Sequence, residues 1–367
     1  MPIPISKPYI GEEEKKAVLE VLDSGFLAQG KNTALFEKEF ATYIGVPEAV
    51  ATSSGTSALF VALKALGIGP NDEVITTPFT FVATASTIIQ CGALPRFCDI
   101  DPRTFNIAPE SLERLLKTGK NIKAILIVHL YGLPCPMDDI LSLSRQYDIP
   151  VVEDCAQAHG ALFQGKKVGS FGTLSAFSFY PTKNMTTGEG GMILTAEKDL
   201  SEKCRMLINH GSKKKYYHEF LGYNFRMTDL AAAIGRVQLT RLDANNFQRQ
   251  ENARFYTEQL STHPSVMTPY VPEYATPVFH QYTLKIEKNR DGLSRYLEEK
   301  GVGYGIYYPV PLHKQGYIRR LVGDVDCPAT DDCSLKVLSI PVHPLLKREE
   351  LEEIASLITS FIGEEVH

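Results

Sequence analysis

The 367 residues, 44% hydrophobic and 22% charged with no low-complexity tract or internal repeat, suffice for two or three domains and a sizeable core, which excludes a mostly disordered chain. A net charge of -5 and a pI near 6.0 argue against nucleic acid or an anionic membrane as the main partner, and the basic run Lys213-Lys214-Lys215 reads as a solvated loop. No basic-then-apolar leader and no apolar stretch of the roughly 18 residues a bilayer span needs is visible, so a cytoplasmic location is expected.

In chain order, apolar residues at helical spacing predict helices from Glu12 to Leu22 and from Ala34 to Ile44, with Gly25 and Gly45 as stop signals. A strand at Val50–Thr52 runs into SSGTSALFVALKAL, a small-residue turn followed by a helix. Further strands are read in EVITT from Glu73, LPRFCDI from Leu94, KAILIVHL from Lys123, IPVVED from Ile149, LSAFSFY from Leu174 and GMILT from Gly191. Helix-length segments separate most of them, as parallel βαβ units require, and the last two join through a loop holding Lys183. GALFQGKK, Gly160 to Lys167, fits the phosphate-loop spacing but places Lys167 where Ser or Thr must hold magnesium. FQGKKVG reads instead as a turn between two short strands, which speaks against a nucleotide hydrolase.

From Thr228, a plausible N-cap, the chain reads as one long helix or two joined ones that could bridge two domains. Beyond His263 come Pro-rich turns, a strand in HQYTLKI from His280, a helix near Leu293–Lys300 and a last helix from Arg348 to Phe361. The expected division is a large domain of residues 1–245 with a mostly parallel mixed sheet covered by helices, then a smaller α+β domain of residues 246–367. Seven cysteines without a C-x-x-C pair, Cys327 and Cys333 included, predict free thiols, no structural disulfide and no zinc.

The chemistry-bearing residues stand at predicted strand ends. Lys183, after an apolar strand, could be a desolvated nucleophile toward an aldehyde; taken alone it reads as a solvated surface lysine. Asp154 ends IPVVED, where it could hold a pyridinium or cap a helix. Gly55, Thr56 and Ser57 open a helix and could cradle a phosphate or serve as a cap. Phe81 could lie against a planar ring or belong to the core. His129 and His159 flank strand ends near the same place and read equally as structural histidines.

Together, GTSAL, TPFTFVAT, VVEDCAQAHG, FSFYPTKNMTTGEGG and GYNFRMTDLAAAIGRVQL resemble, over nearly the whole chain, the nucleotide-sugar aminotransferases of the DegT/StrS type. That resemblance implies an α/β fold of the fold-type-I transferases dependent on pyridoxal 5'-phosphate (PLP). It implies Lys183 as the lysine that carries PLP as a Schiff base, Asp154 as partner of the ring nitrogen and Gln157 as neighbour of the ring hydroxyl. Thr56, Ser57 and Ser178 correspond to phosphate ligands and Phe81 to the stacking ring. Asn224 corresponds to a residue that reaches the phosphate bound by the other subunit of a homodimer with shared active sites. Arg226, Tyr308 and His313 match regions that approach the sugar or its nucleotide.

The implied reaction moves an amino group from glutamate through pyridoxamine phosphate (PMP), in a ping-pong scheme, to a nucleotide-linked keto-sugar, for cell-surface glycan or related biosynthesis. A cyclitol acceptor and a non-catalytic regulator or scaffold on the same fold stay open. A deoxygenating branch carries histidine at the lysine position; this chain keeps Lys183, as an aminotransferase would.

Overall fold

The computed structural model describes residues 2–364. Helices α1 (Glu12–Ser24) and α2 (Lys31–Ile44) open the chain, with Gly25 and Gly45 as their C-caps. Strand β1 (Glu48–Thr52) leads into α3 (Gly55–Ala65), β2 (Glu73–Thr76) into α4 (Ala83–Gln90), β3 (Leu94–Phe97) into α5 (Pro109–Thr118), and β4 (Ile122–Val128) into α6 (Met137–Tyr147). After β5 (Val151–Asp154) a small hairpin joins β6 (Leu162–Phe163) to β7 (Lys166–Lys167). Its two-residue turn, Gln164 at φ 48° and Gly165 at φ 79°, requires two left-handed residues, the geometry matched to strand twist. Strands β8 (Leu174–Ser178) and β9 (Gly191–Thr195) pair antiparallel across the loop that holds Lys183.

The central sheet has the order β1-β9-β8-β5-β4-β2-β3, and β9 alone runs against the others. Near-continuous apolar runs such as Ala124–Val128 suit a sheet covered on both faces. Alternate residues supply two separate cores: Ile125, Ile127, Val151, Phe177 and Met192 face α2 and the following long helix, while Ala124, Leu126, Val152, Ala176 and Ile193 face α3. This alternation sends Glu153 and Asp154 to opposite faces at the end of β5.

Helix α7 (Lys198–Leu207) precedes α8 (Asp229–Leu260), a single helix of 32 residues. Thr228 is its N-cap, its hydroxyl accepting from the Ala231 N–H at 3.2 Å. At about 1.5 Å per residue α8 spans roughly 48 Å. Ala232 and Leu242 pack in the large core, Ala253, Tyr256 and Leu260 in a second core around the strands Val266–Met267, Tyr282–Ile286 and Val337–Ile340. Ile3 joins that second core and bridges to Val302, a contact between the chain's first residues and the segment after Leu297. The last helix covers Arg348–Glu364.

Gly30 offers no side chain to cap α2, and Asp229, from the first turn of α8, takes that role. Its carboxylate accepts from the N–H groups of Gly30, Asn32 and Thr33 and from the Thr33 hydroxyl at 2.7–3.0 Å. Burial alone would raise its pKa, but these donors outweigh burial and hold it below the ordinary value. A depressed carboxylate stabilises the fold above its unfolded pKa, and the contribution disappears as pH falls through the folded value. Asp229→Asn is therefore expected to lose about 1–3 kcal/mol at neutral pH and progressively less as pH falls below the unfolded carboxyl value, measured by urea unfolding across that range.

Candidate active site

The carboxyl ends of β1, β2, β5 and β8 converge on a cavity of about 850 Å³, the place where open parallel sheets bind ligands. Lys183 and Asp154 line it with Gly55, Thr56, Phe81, Gln157, Ser178 and Tyr308. These eight sequence-predicted residues thus come together from five separate segments.

Lys183 is half-buried in the loop between β8 and β9, its backbone N–H tied to the Tyr180 carbonyl at 2.9 Å. Burial lowers its amine to about 8, against a smaller opposing pull from the Asp154 charge. Asp154 is only 4% exposed. Burial raises its carboxyl above the ordinary range, while the Ala156 N–H at 3.1 Å and the Thr84 hydroxyl at 3.0 Å work to keep it ionised. The cavity therefore holds an amine made nucleophilic near neutrality and a carboxylate that would gain from a fixed positive partner.

The opposite end is built around the start of α3. The Ser54 hydroxyl caps it, accepting from the Ser57 N–H at 3.1 Å, and Ser57 returns the contact by accepting from the Ser54 N–H at 2.9 Å. Gly55 leaves space beside Ser178: a Cβ there would stand 2.5 Å from the Ser178 Cβ. The helix start, Thr56 and Ser178 form a concave donor-rich corner of the kind that accepts a phosphate. Phe81 is 56% exposed at the cavity wall, a free aromatic face with Tyr308 6.5 Å away. Gln157 is oriented on both sides, its Oε1 accepting from the Tyr131 N–H at 2.7 Å and its Nε2 donating to the Tyr308 hydroxyl at 3.2 Å. A phosphorylated pyridine aldehyde finds a counterpart at each end here: amine, carboxylate, aromatic face and phosphate corner.

Four predicted residues stand outside the lining. Ser57 spends its hydroxyl on the α3 cap. Asn224 is exposed beside Asn209, and Arg226 donates to Asn209 Oδ1 at 2.8 Å. His313 is buried against Phe97 with its Nε2 3.2 Å from Asp331. Conversely, the lining includes Ser6, Thr80, Thr84, Glu189 and His280, which the sequence reading passed over. Thr80, Thr84 and Glu189 lay within quoted motifs and His280 opened a predicted strand, whereas Ser6 carries no local signal.

The two other histidines have structural surroundings. His129 accepts from the Cys135 N–H through Nδ1 at 3.0 Å, so Nε2 carries the proton it donates to Glu153 at 3.0 Å. Glu153 also accepts from the N–H groups of Gly169, Phe171 and Gly172 at 2.7–2.8 Å. Burial opposes its charge, but these donors lower its pKa overall. Although His129, Glu153 and Cys155 are close enough to suggest a metal cluster, their lone pairs on His129 and Glu153 are committed to protein donors. His159 packs against Phe177 and Phe179, and burial lowers it to about 3, a neutral ring. All seven cysteines are buried free thiols.

Comparison with known proteins agrees with this geometry. Residues 8–359 match the model of the DegT/DnrJ/EryC1/StrS aminotransferase family. A UDP-N-acetyl-3-dehydro-alpha-D-glucosamine 3-aminotransferase of Acidithiobacillus ferrooxidans is 40% identical, over 92% of this chain and 91% of its own length. A protein of Geobacillus stearothermophilus named a pleiotropic regulatory protein is also 40% identical, over 95% of each chain. The structure of DesV from S. venezuelae, solved with a ketimine intermediate, superposes with a TM-score of 0.92 at 35% identity, covering 96% of this chain and 94% of that one. The chain is an aminotransferase and belongs to the DegT/DnrJ/EryC1/StrS aminotransferase family.

Proposed function

We propose that the chain binds PLP in the cavity at the strand ends and transfers an amino group from glutamate to a keto-sugar carried on a nucleotide. The observation that carries this reading is the convergence of Lys183, Asp154 and the α3 start in one cavity. Bound PLP supplies an electron-accepting ring that stabilises negative charge at the donor's α-carbon and stores the amino group as PMP between the two halves of a ping-pong cycle.

The protein's own residues then divide the work. Asp154 keeps the ring nitrogen protonated. Lys183 would hold the cofactor at rest, and its amine, when free, would serve as the base that takes and returns the substrate's proton. Gly55, Thr56 and Ser178 would receive the phosphate, with Ser57 holding the cap of α3 behind them; Phe81 would cover the ring face and Gln157 would meet the ring hydroxyl. Arg226, Tyr308 and His313 serve the nucleotide-sugar. In this reading the two domains divide within α8, at residues 1–245 and 246–367, with Ile3 packed on the second.

A homodimer explains Asn224 and its surroundings. Exposed Tyr216, Tyr217 and Leu221 stand near it, and Phe26 and Leu27 are exposed elsewhere on the chain, apolar area that a second copy would cover. Asn224 then reaches the partner's phosphate, and each site needs two chains. Mixed dimers of Lys183→Ala and Asn224→Ala chains are expected to regain up to about one quarter of wild-type activity per chain, because random pairing gives half heterodimers with one intact site each. No recovery would contradict a shared site.

A donor panel checks glutamate, and UDP-, GDP- and dTDP-linked keto-sugars check the acceptor by return of the PMP spectrum to the PLP form. Conversion of a free cyclitol ketone but of no nucleotide-sugar would overturn the acceptor assignment. A regulator on the same fold is the reading favoured by the Geobacillus relative's name. Purified protein that takes up no PLP would support it. No helix among the described residues is long and apolar enough to cross a membrane, and the acidic net charge argues against nucleic acid as a partner.

A further inference from the structure

We propose that Thr84 is a positioning residue for the Asp154 carboxylate, acting with Thr80 behind it in a directed hydrogen-bond chain. This rests on the proposed pairing of Asp154 with the cofactor's ring nitrogen. The Thr84 hydroxyl lies 3.0 Å from Asp154 Oδ2 and 3.1 Å from the Thr80 hydroxyl, and all three residues are buried. An ionised carboxylate can only accept, so Thr84 donates to Asp154. Its oxygen is then free to accept, and Thr80 is the donor to it. Each hydroxyl polarises the next, which strengthens the bond that ends on the carboxylate.

The chain fixes more than charge. Asp154 Oδ1 accepts from the Ala156 N–H at 3.1 Å, so each carboxylate oxygen has one fixed donor, which sets the carboxylate plane. Thr80, Phe81 and Thr84 belong to one short segment that runs from β2 into the first turn of α4, and all three line the cavity with Asp154. One segment thus places the aromatic face and, through Thr84, aims the carboxylate that meets the ring's edge. Thr84 is the second residue of α4, and its carbonyl accepts from the Thr87 hydroxyl at 3.2 Å, anchoring the position from which it donates.

Thr84→Val keeps the shape and removes the donor. It is expected to weaken PLP retention, measured as the dissociation constant of purified holoenzyme, about tenfold, the effect of one hydrogen bond to a charged group. It should lower kcat by a similar factor with little change in KM for the donor. Thr84→Ser should return both to within about twofold. Apo-protein melting, compared across the three proteins, separates a folding defect from a positioning one. The decisive arm is a double-mutant cycle: with Asp154→Ala, which removes the acceptor, Thr84→Val should have no further effect on PLP retention. Wild-type retention in Thr84→Val, or a full tenfold loss added to Asp154→Ala, would overturn the proposal. If Asp154→Ala itself retains PLP and turns over normally, the failure belongs to the pairing of Asp154 with the ring.

Discussion

Lys183→Ala is expected to reduce amino transfer by at least about 10⁴-fold, because the substitution removes both the group that holds the cofactor and the base that moves the proton. Purified variant should take up PLP weakly and show the spectrum of the free aldehyde. The fold should not suffer. Burial holds the Lys183 amine at about 8, below its ordinary value, so the apo protein binds fewer protons folded than unfolded at this residue. A cationic group with a depressed folded pKa opposes folding most below the folded value, and this cost fades as pH rises from about 8 toward the unfolded value. Apo Lys183→Ala should therefore melt at the same temperature as wild-type or above it at pH 7, with the difference shrinking by pH 10. The same shift predicts that the rate of PLP capture by apo wild-type rises with pH to a plateau above about 8. A variant that keeps normal transamination would remove Lys183 from the mechanism, and one that fails to fold would show that burial of the amine has been misjudged.

The second large effect is expected from Asp154→Asn. The change is nearly isosteric: the amide oxygen can keep the Ala156 N–H, and the Thr84 hydroxyl can turn to accept from the amide nitrogen, so the local structure should persist. What disappears is the negative charge that favours a protonated ring nitrogen. In a buried site such a charge is screened little, and its loss should lower kcat on the order of 10²–10³-fold. PLP should remain attached through Lys183. Retained attachment with lost turnover distinguishes this variant from Lys183→Ala, where both go together. Replacing the natural cofactor by an analogue with a permanently positive ring nitrogen should restore part of the Asp154→Asn rate, and no restoration would contradict the assigned role.

Much of this organisation is legible in the sequence because strand ends announce themselves. LSAFSFY, IPVVED and EVITT are apolar runs that stop abruptly at polar or small residues, and Ser178, Asp154 and Phe81 stand at or just beyond those stops. The hairpin at Gln164-Gly165 and the cap at Thr228 are equally local signals. Strand order is another matter, since nothing in GMILT says that β9 lies between β1 and β8 and runs against both. Pairings over long sequence distances were equally hidden. Thr84 and Asp154 are 70 residues apart, and Ile3 meets Val302 only because the second core closes over the chain's beginning. Asn224 and Arg226 lie outside their own chain's cavity; the resemblance implies that Asn224 serves a site built by two copies, and a single sequence carries no mark of which chain a residue serves.

Borohydride reduction of PLP-loaded protein, followed by proteolysis and mass spectrometry of the peptides, reads the central covalent claim directly. The account predicts a single modified peptide, the one containing Lys183, and none from the Lys183→Ala protein treated in the same way. Stoichiometric modification at another lysine, with Lys183 left free, would contradict it.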